Sequence, residues 1–154
     1  MNHFESLTEQ EKQILFDAIP LISILVAGAD GDIDDEEYKW VEKLTHIRTF
    51  DNNSERVHDY YEQIDGMVDD RIDSYLKMLS KDPKQRREEV SVELAKLNDV
   101  LPKIDHYYAV DLYQSFLSFA EHIAQASGGI LRFLTIGPKE DKVVDLPMIE
   151  PVKG

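Results

Sequence analysis

The sequence contains no cysteine. This absence excludes disulfide bonds, thiol nucleophiles and zinc sites built on thiolates. Basic side chains are also scarce, because 17 Lys and Arg stand against 31 Asp and Glu, a formal net charge of −14 at pH 7. A surface of that sign repels nucleic-acid phosphates and attracts cations and basic proteins. We therefore expect no nucleic-acid partner.

Long apolar runs and common catalytic motifs are missing as well. The longest apolar stretch, Ala18–Ala29, is twelve residues interrupted by Pro20, whereas a membrane-spanning helix needs about 20. The first residues lack the basic and then apolar character of a signal peptide. We expect no membrane insertion and a cytoplasmic location. The chain has no phosphate-binding glycine loop, serine-nucleophile motif or HExxH motif, so we expect no catalytic residues and no enzymatic activity.

Composition and apolar periodicity favour an all-α protein. The 42% hydrophobic and 31% charged content is typical of a soluble globular chain. No segment alternates apolar and polar residues over the length of a strand. We predict a single all-α domain over residues 1–154, a compact bundle of six to seven helices, with an irregular tail from about 146 to 154.

The first helices are indicated by capping residues and by Pro20. Thr8 and Glu11 form a capping-box pattern, so a helix should begin near Glu9. Pro20 should break or kink it, because proline removes an intrahelical hydrogen bond. Residues 21–27 are apolar on every face, which predicts a helix buried at the centre of the fold.

The remaining helices follow from spacing and from further caps. Apolar residues keep a helical phase through Gly66, which predicts one long helix over residues 55–80. Other helices should begin at Asp34, at Pro83 behind its cap Asp82, and at Asp105, and a short helix should fill residues 139–145. Pro102 should end the helix that begins at Pro83, and residues 127–129 should end the helix that begins at Asp105.

An acidic loop between two of these helices suggests a cation site. Asp30, Asp32 and Asp34 alternate along it, and Glu37 lies one turn into the next helix. Calcium takes six to eight oxygen ligands. An EF-hand is excluded because neither register supplies both its opening and its closing ligands. An acidic helix N-terminus is the alternative, which explains Asp34 and Glu37 through the helix dipole but leaves Asp30 and Asp32 unexplained.

The spacing around this loop recurs about a hundred residues later. Ile33, Glu37 and Val41 lie four residues apart, as do Ile136, Glu140 and Val144 at the second position. An apolar helix that ends in small residues precedes each set. This echo predicts two pseudo-symmetric helix-loop-helix units around buried central helices. Coincidence between two amphipathic helices of the same period is the alternative.

The run Leu21–Glu37, which ends in Ala-Asp-Gly-x-Ile-x-x-x-Glu, resembles the signature of the TerB-like family, associated with tellurite resistance and stress response. The resemblance implies an all-helical fold of two related halves. It also implies a divalent metal ion, chiefly calcium, at the loop, with Asp30, Asp32, Asp34 and Glu37 as the ligands. The second half has Ser127 in place of the aspartate, which leaves open whether Glu140 or Glu121 contributes.

These observations lead to one functional expectation and two alternatives. We expect a non-enzymatic, divalent-cation-binding helical module, with an unknown and basic protein partner. A metal-independent protein–protein interaction adaptor that docks a basic partner on its acidic surface is the second reading. Catalytic use of the carboxylates is the third, and it is disfavoured because acid–base catalysis needs a pocket and a raised pKa.

Overall fold

The computed structural model describes residues 3–27, 39, 41, 43, 45–46, 57–126 and 145–153, and no strand occurs among them. The predicted compact all-α architecture is confirmed. The helices with defined bounds are α1 (Glu9–Phe16), α2 (Ala18–Ala27), α3 (His58–Ile64), α4 (Val68–Met78), α5 (Pro83–Ala95), α6 (Leu97–Val100) and α7 (His106–Ala126). A 3-10 turn covers Leu101–Lys103. None of the described helices combines the length and apolarity that a membrane crossing requires.

The capping box of α1 forms as predicted. The Thr8 hydroxyl accepts from the Glu11 amide at 3.1 Å, and the Glu11 carboxylate accepts from the Thr8 amide at 2.9 Å. The predicted break occurs at Asp17, earlier than Pro20. A proline ring collides with the carbonyl four residues before it, which here belongs to Phe16, and that residue ends α1. Pro20 therefore lies in the first turn of α2, where a missing amide costs nothing.

Helix α2 is the centre of the fold, as its apolar sequence predicts. All ten of its residues are buried, and it packs against α4, α5 and α7. Its one hydroxyl, Ser23, donates to the Ile19 carbonyl at 2.8 Å. Helix α7 contributes a second fully buried stripe, which includes Leu112, Phe116 and Phe119.

The predicted continuous helix over residues 55–80 is wrong. The chain forms α3 and α4 instead, separated by residues 65–67, and Gly66 between them has a φ of +81°. A left-handed residue cannot continue a right-handed helix, and glycine adopts it without a Cβ clash. The apolar spacing is misleading because both helices bury their stripes, with Ile64 before the turn and Val68 after it almost fully covered.

The next two helix starts are confirmed, and one predicted helix is too long. Asp82 accepts from the Gln85 amide at 2.9 Å, and Asp105 accepts from the Tyr108 amide at 3.0 Å. The helix that begins at Pro83 ends at Ala95 rather than at Pro102, which lies in the 3-10 turn. Leu94 and Leu97 are both fully buried on either side of the break at Lys96. The apolar spacing therefore continues across the break and does not indicate it.

Several predictions concern residues outside the described ones. They include the helix start at Asp34, the helix over 139–145 apart from Asp145, and both copies of the internal echo apart from Val41. The final described segment, 145–153, contains no helix. It nevertheless packs into the core through Leu146 and Ile149, which are 0% and 1% exposed.

Candidate metal centre

The four loop ligands predicted from the sequence, Asp30, Asp32, Asp34 and Glu37, lie outside the described residues. Glu140 lies outside them too. Glu121 is described and is exposed on α7. The loop site therefore stays a prediction. The side chains that the structure brings together lie on a different element, α3.

Within the described part of the chain, the first two turns of α3 bring together three side chains that could hold a metal ion: His58, Asp59 and Glu62. One ligand atom from each lies within 4.8 Å of the other two. His58 and Glu62 are four residues apart and so project from the same helix face. Their Nε2 and Oε2 atoms are 2.9 Å apart. One nitrogen and two carboxylate oxygens are therefore close enough together to bind a common ion.

His3 extends this group from the N-terminal segment. Its Nε2 atom lies 3.7 Å from an Asp59 carboxylate oxygen. The imidazole stacks on the Tyr108 ring, with centroids 4.0 Å apart and planes 14° from parallel. Burial raises the pKa of Tyr108, and the Asp59 charge raises it further. The phenol therefore stays neutral and supplies no negative charge to the group.

The donor set fits a borderline transition metal better than calcium. Calcium needs six to eight oxygens, whereas this group offers two carboxylates with one or two imidazoles. Zinc takes nitrogen and oxygen ligands at about 2.0–2.2 Å, which separates two tetrahedral ligand atoms by roughly 3.4 Å. His58 and Glu62 would have to move apart slightly from 2.9 Å. Their side chains are 38% and 62% exposed, so they have room to do so.

The sequence carries a local signal for this group. Residues 58–62 are His-Asp-Tyr-Tyr-Glu, which puts a histidine and a glutamate at positions i and i+4 of a helix. That spacing brings two ligand side chains together whenever the segment is helical. The contribution of His3 comes from tertiary packing and has no local signal.

A second polar cluster surrounds Asp17, and its role is structural. Asp17 is 2% exposed. Its carboxylate accepts from Arg71 at 3.0 and 2.8 Å, from the Tyr75 hydroxyl at 2.6 Å, and from the Gln13 side-chain Nε2 at 2.9 Å. Two carboxylate oxygens offer about four acceptor positions. Since these donors occupy them, Asp17 is not a candidate metal ligand.

Comparison with known proteins adds no family. No protein-family model, curated protein or solved structure matches the chain.

Proposed function

We propose that the protein is a non-enzymatic helical module that binds divalent cations. The observation that carries this proposal is the proximity of the His58, Asp59 and Glu62 ligand atoms, which all lie within 4.8 Å of one another on α3. The acidic sequence supports it, because a chain of net charge −14 raises the local concentration of cations around it.

The two candidate sites should prefer different ions. The α3 group, with its imidazole, suits zinc or another late first-row metal. The loop residues Asp30, Asp32, Asp34 and Glu37 offer oxygen alone, which suits calcium. The resemblance of the loop to the TerB-like signature supports the second site, and it ties the proposal to tellurite resistance and the stress response.

A bound ion would act on structure rather than on a substrate. A bound ion would fasten the N-terminal segment to α3. It would be shared by His3, which comes from that segment, and by His58, Asp59 and Glu62, which come from α3. An ion that binds the folded chain alone stabilises it by about 2.7 kcal/mol at a concentration one hundred times its Kd. The resulting rigid surface is where a basic partner would dock.

Isothermal titration of chelator-stripped protein with zinc and with calcium tests the proposal. We expect zinc binding to be lost in the double variant His58→Ala, Glu62→Gln, and calcium binding to be lost in Asp30→Asn, Asp32→Asn. His106→Ala removes an exposed histidine elsewhere and should bind both ions normally. Absence of binding of either ion at millimolar concentration would contradict the proposal, and so would equal binding in all the variants.

A further inference from the structure

The Tyr108 hydroxyl is buried and makes no hydrogen bond within the described part of the chain. Tyr108 as a whole is only 4% exposed, so bulk water does not reach the hydroxyl in place of a protein partner. Most buried hydroxyls are paired, because an unpaired one destabilises the fold. Where a native fold keeps one, a ligand or an ion that completes a site is among the usual reasons.

The phenol lies beside the start of α3, where the candidate cation site is. Its ring stacks on the His3 imidazole, and His3 in turn lies 3.7 Å from an Asp59 carboxylate oxygen. After burial, the Asp59 charge is the strongest influence that raises the pKa of the phenol. Tyr108, His3 and Asp59 therefore form one group, which adjoins the ligand atoms of His58 and Glu62.

The Asp59 carboxylate can serve an ion and the phenol at the same time. Its two oxygens offer about four acceptor positions. Its side chain is 51% exposed, and its contact with His3 at 3.7 Å is longer than a hydrogen bond, so it has room to turn. Carboxylates that ligate a metal are usually hydrogen-bonded by a further residue, which fixes their orientation. A phenol that still has its proton to donate supplies that hydrogen bond.

We propose that Tyr108 is a positioning residue of the α3 cation site. Its ring holds the His3 imidazole, and its hydroxyl donates to the Asp59 carboxylate when an ion is bound. The inference rests on the proposed function, because the hydroxyl gains its partner only in the ion-bound protein. It follows that the hydroxyl contributes to the affinity for the ion and contributes nothing to the stability of the ion-free protein. A tyrosine with a purely structural role would show the reverse.

Isothermal titration of Tyr108→Phe with zinc tests the proposal, because this variant keeps the ring and loses only the hydroxyl. We expect the zinc affinity to fall about 10- to 100-fold, as it does when other outer-shell partners are removed. The Tm of the chelator-stripped variant should be unchanged or higher, because no unpaired hydroxyl remains. An unchanged zinc affinity, or a lowered Tm of the stripped protein, overturns the proposal.

Tyr113→Phe is the matched control. Tyr113 belongs to the same helix, α7, and is 6% exposed. After burial, the charge that acts on its phenol is that of Asp145, which is not part of the cation site. The zinc affinity of Tyr113→Phe should therefore equal that of the unchanged chain. An equal loss of affinity in Tyr113→Phe and Tyr108→Phe would contradict a specific role for Tyr108.

A double-mutant cycle identifies the acceptor of the Tyr108 hydroxyl. Asp59→Ala removes an exposed ligand and should lower the zinc affinity by itself. Because the hydroxyl acts through Asp59, adding Tyr108→Phe to Asp59→Ala should lower the affinity no further. Equal losses from Tyr108→Phe with and without Asp59 overturn the assignment.

The same titrations separate this inference from the proposed function. If the unchanged chain binds no zinc, both are wrong. If the unchanged chain binds zinc, the His58→Ala, Glu62→Gln variant does not, and Tyr108→Phe binds as tightly as the unchanged chain, the cation site stands and only the role of Tyr108 is wrong.

Discussion

Arg71 donates to both carboxylate oxygens of Asp17, through Nε at 3.0 Å and Nη2 at 2.8 Å. Its guanidinium also lies 5.4 Å from the centroid of the Tyr75 ring, whose hydroxyl donates to the same carboxylate. Asp17 occupies the corner between α1 and α2, and both donors belong to α4. The corner that Pro20 creates is thus fixed to a helix more than fifty residues later in the chain.

Removal of the Arg71 charge should destabilise the protein strongly. In Arg71→Met the Asp17 carboxylate stays buried without its cation, which costs about 3 kcal/mol, the lower end of the usual range because Arg71 is one-third exposed. Urea unfolding followed by circular dichroism measures the loss. Lys77→Met removes an exposed cation from the same helix and should cost under about 0.5 kcal/mol. Similar losses in the two variants would show that the ion pair contributes nothing specific.

Gly66→Ala should lower the stability of the protein if residues 55–80 form two helices and raise it if they form one. In the structure Gly66 has a φ of +81°, with open space around it, so Gly66→Ala costs about 1–2 kcal/mol through backbone strain alone. If residues 55–80 formed one helix, the same change would stabilise the protein by about 1 kcal/mol. Chemical unfolding of this single variant decides between the two arrangements.

Alkaline pH should unfold the protein through its tyrosines. Burial raises the pKa of Tyr60, Tyr75 and Tyr108 above the usual value of about 10, and the Asp17 carboxylate raises that of Tyr75 further. Above pH 10 the unfolded chain loses these protons and the folded chain keeps them, so the free energy of unfolding falls as pH rises. Below pH 10 the contribution is complete. Absorbance at 295 nm and circular dichroism, recorded together, should show tyrosinate forming as the helices melt.

Two phenylalanine variants check that assignment. Tyr75→Phe removes one of the shifted phenols, so its stability should decline less steeply above pH 10 than that of the unchanged chain. Tyr107→Phe removes a tyrosine that is 73% exposed and should leave the slope as it is. A gradual rise in tyrosinate without loss of helix would contradict the prediction.

Zinc binding at α3 should weaken on acidification. A histidine ligand must be free of its proton to bind a metal. The His58 imidazole lies against the Glu62 carboxylate, and the His3 imidazole lies against the Asp59 carboxylate. Titrations at pH 7.5 and 5.5 should show a lower affinity at the lower pH. His3→Ala should lower the affinity while leaving the His58 contribution in place. An affinity that does not vary with pH would exclude imidazole ligation.

The local features of the fold are predictable because their causes are local. The Thr8–Glu11 capping box, the Asp82 and Asp105 caps and the almost wholly apolar α2 each depend on residues within one or two turns, and all four are present in the structure. The breaks at Gly66 and Lys96 are missed because the apolar period continues across them. Periodicity records which face is buried, and it does not record whether the backbone between two buried residues stays helical.

The α3 group shows the same division between local and distant causes. The His58–Glu62 spacing is visible in the sequence once the segment is known to be helical. The approach of His3, by contrast, depends on its stacking against Tyr108, a contact across more than a hundred residues that no pattern encodes. The hydrogen bonds between the Asn98 side chain and the backbone of the tail also join residues far apart in the sequence, at separations of 50 and 52 residues. Sequence analysis therefore predicts the capped helix starts well, and it predicts the assembly of distant side chains poorly.

The complete burial of α2 has a consequence for hydrogen exchange. Local opening exposes an amide only where the surrounding packing can part without loss of the whole core. All ten residues of α2 are buried, so its amides should exchange only when the entire molecule unfolds. They would then report the global free energy of unfolding, while the ends of α1 and α3 exchange through smaller fluctuations.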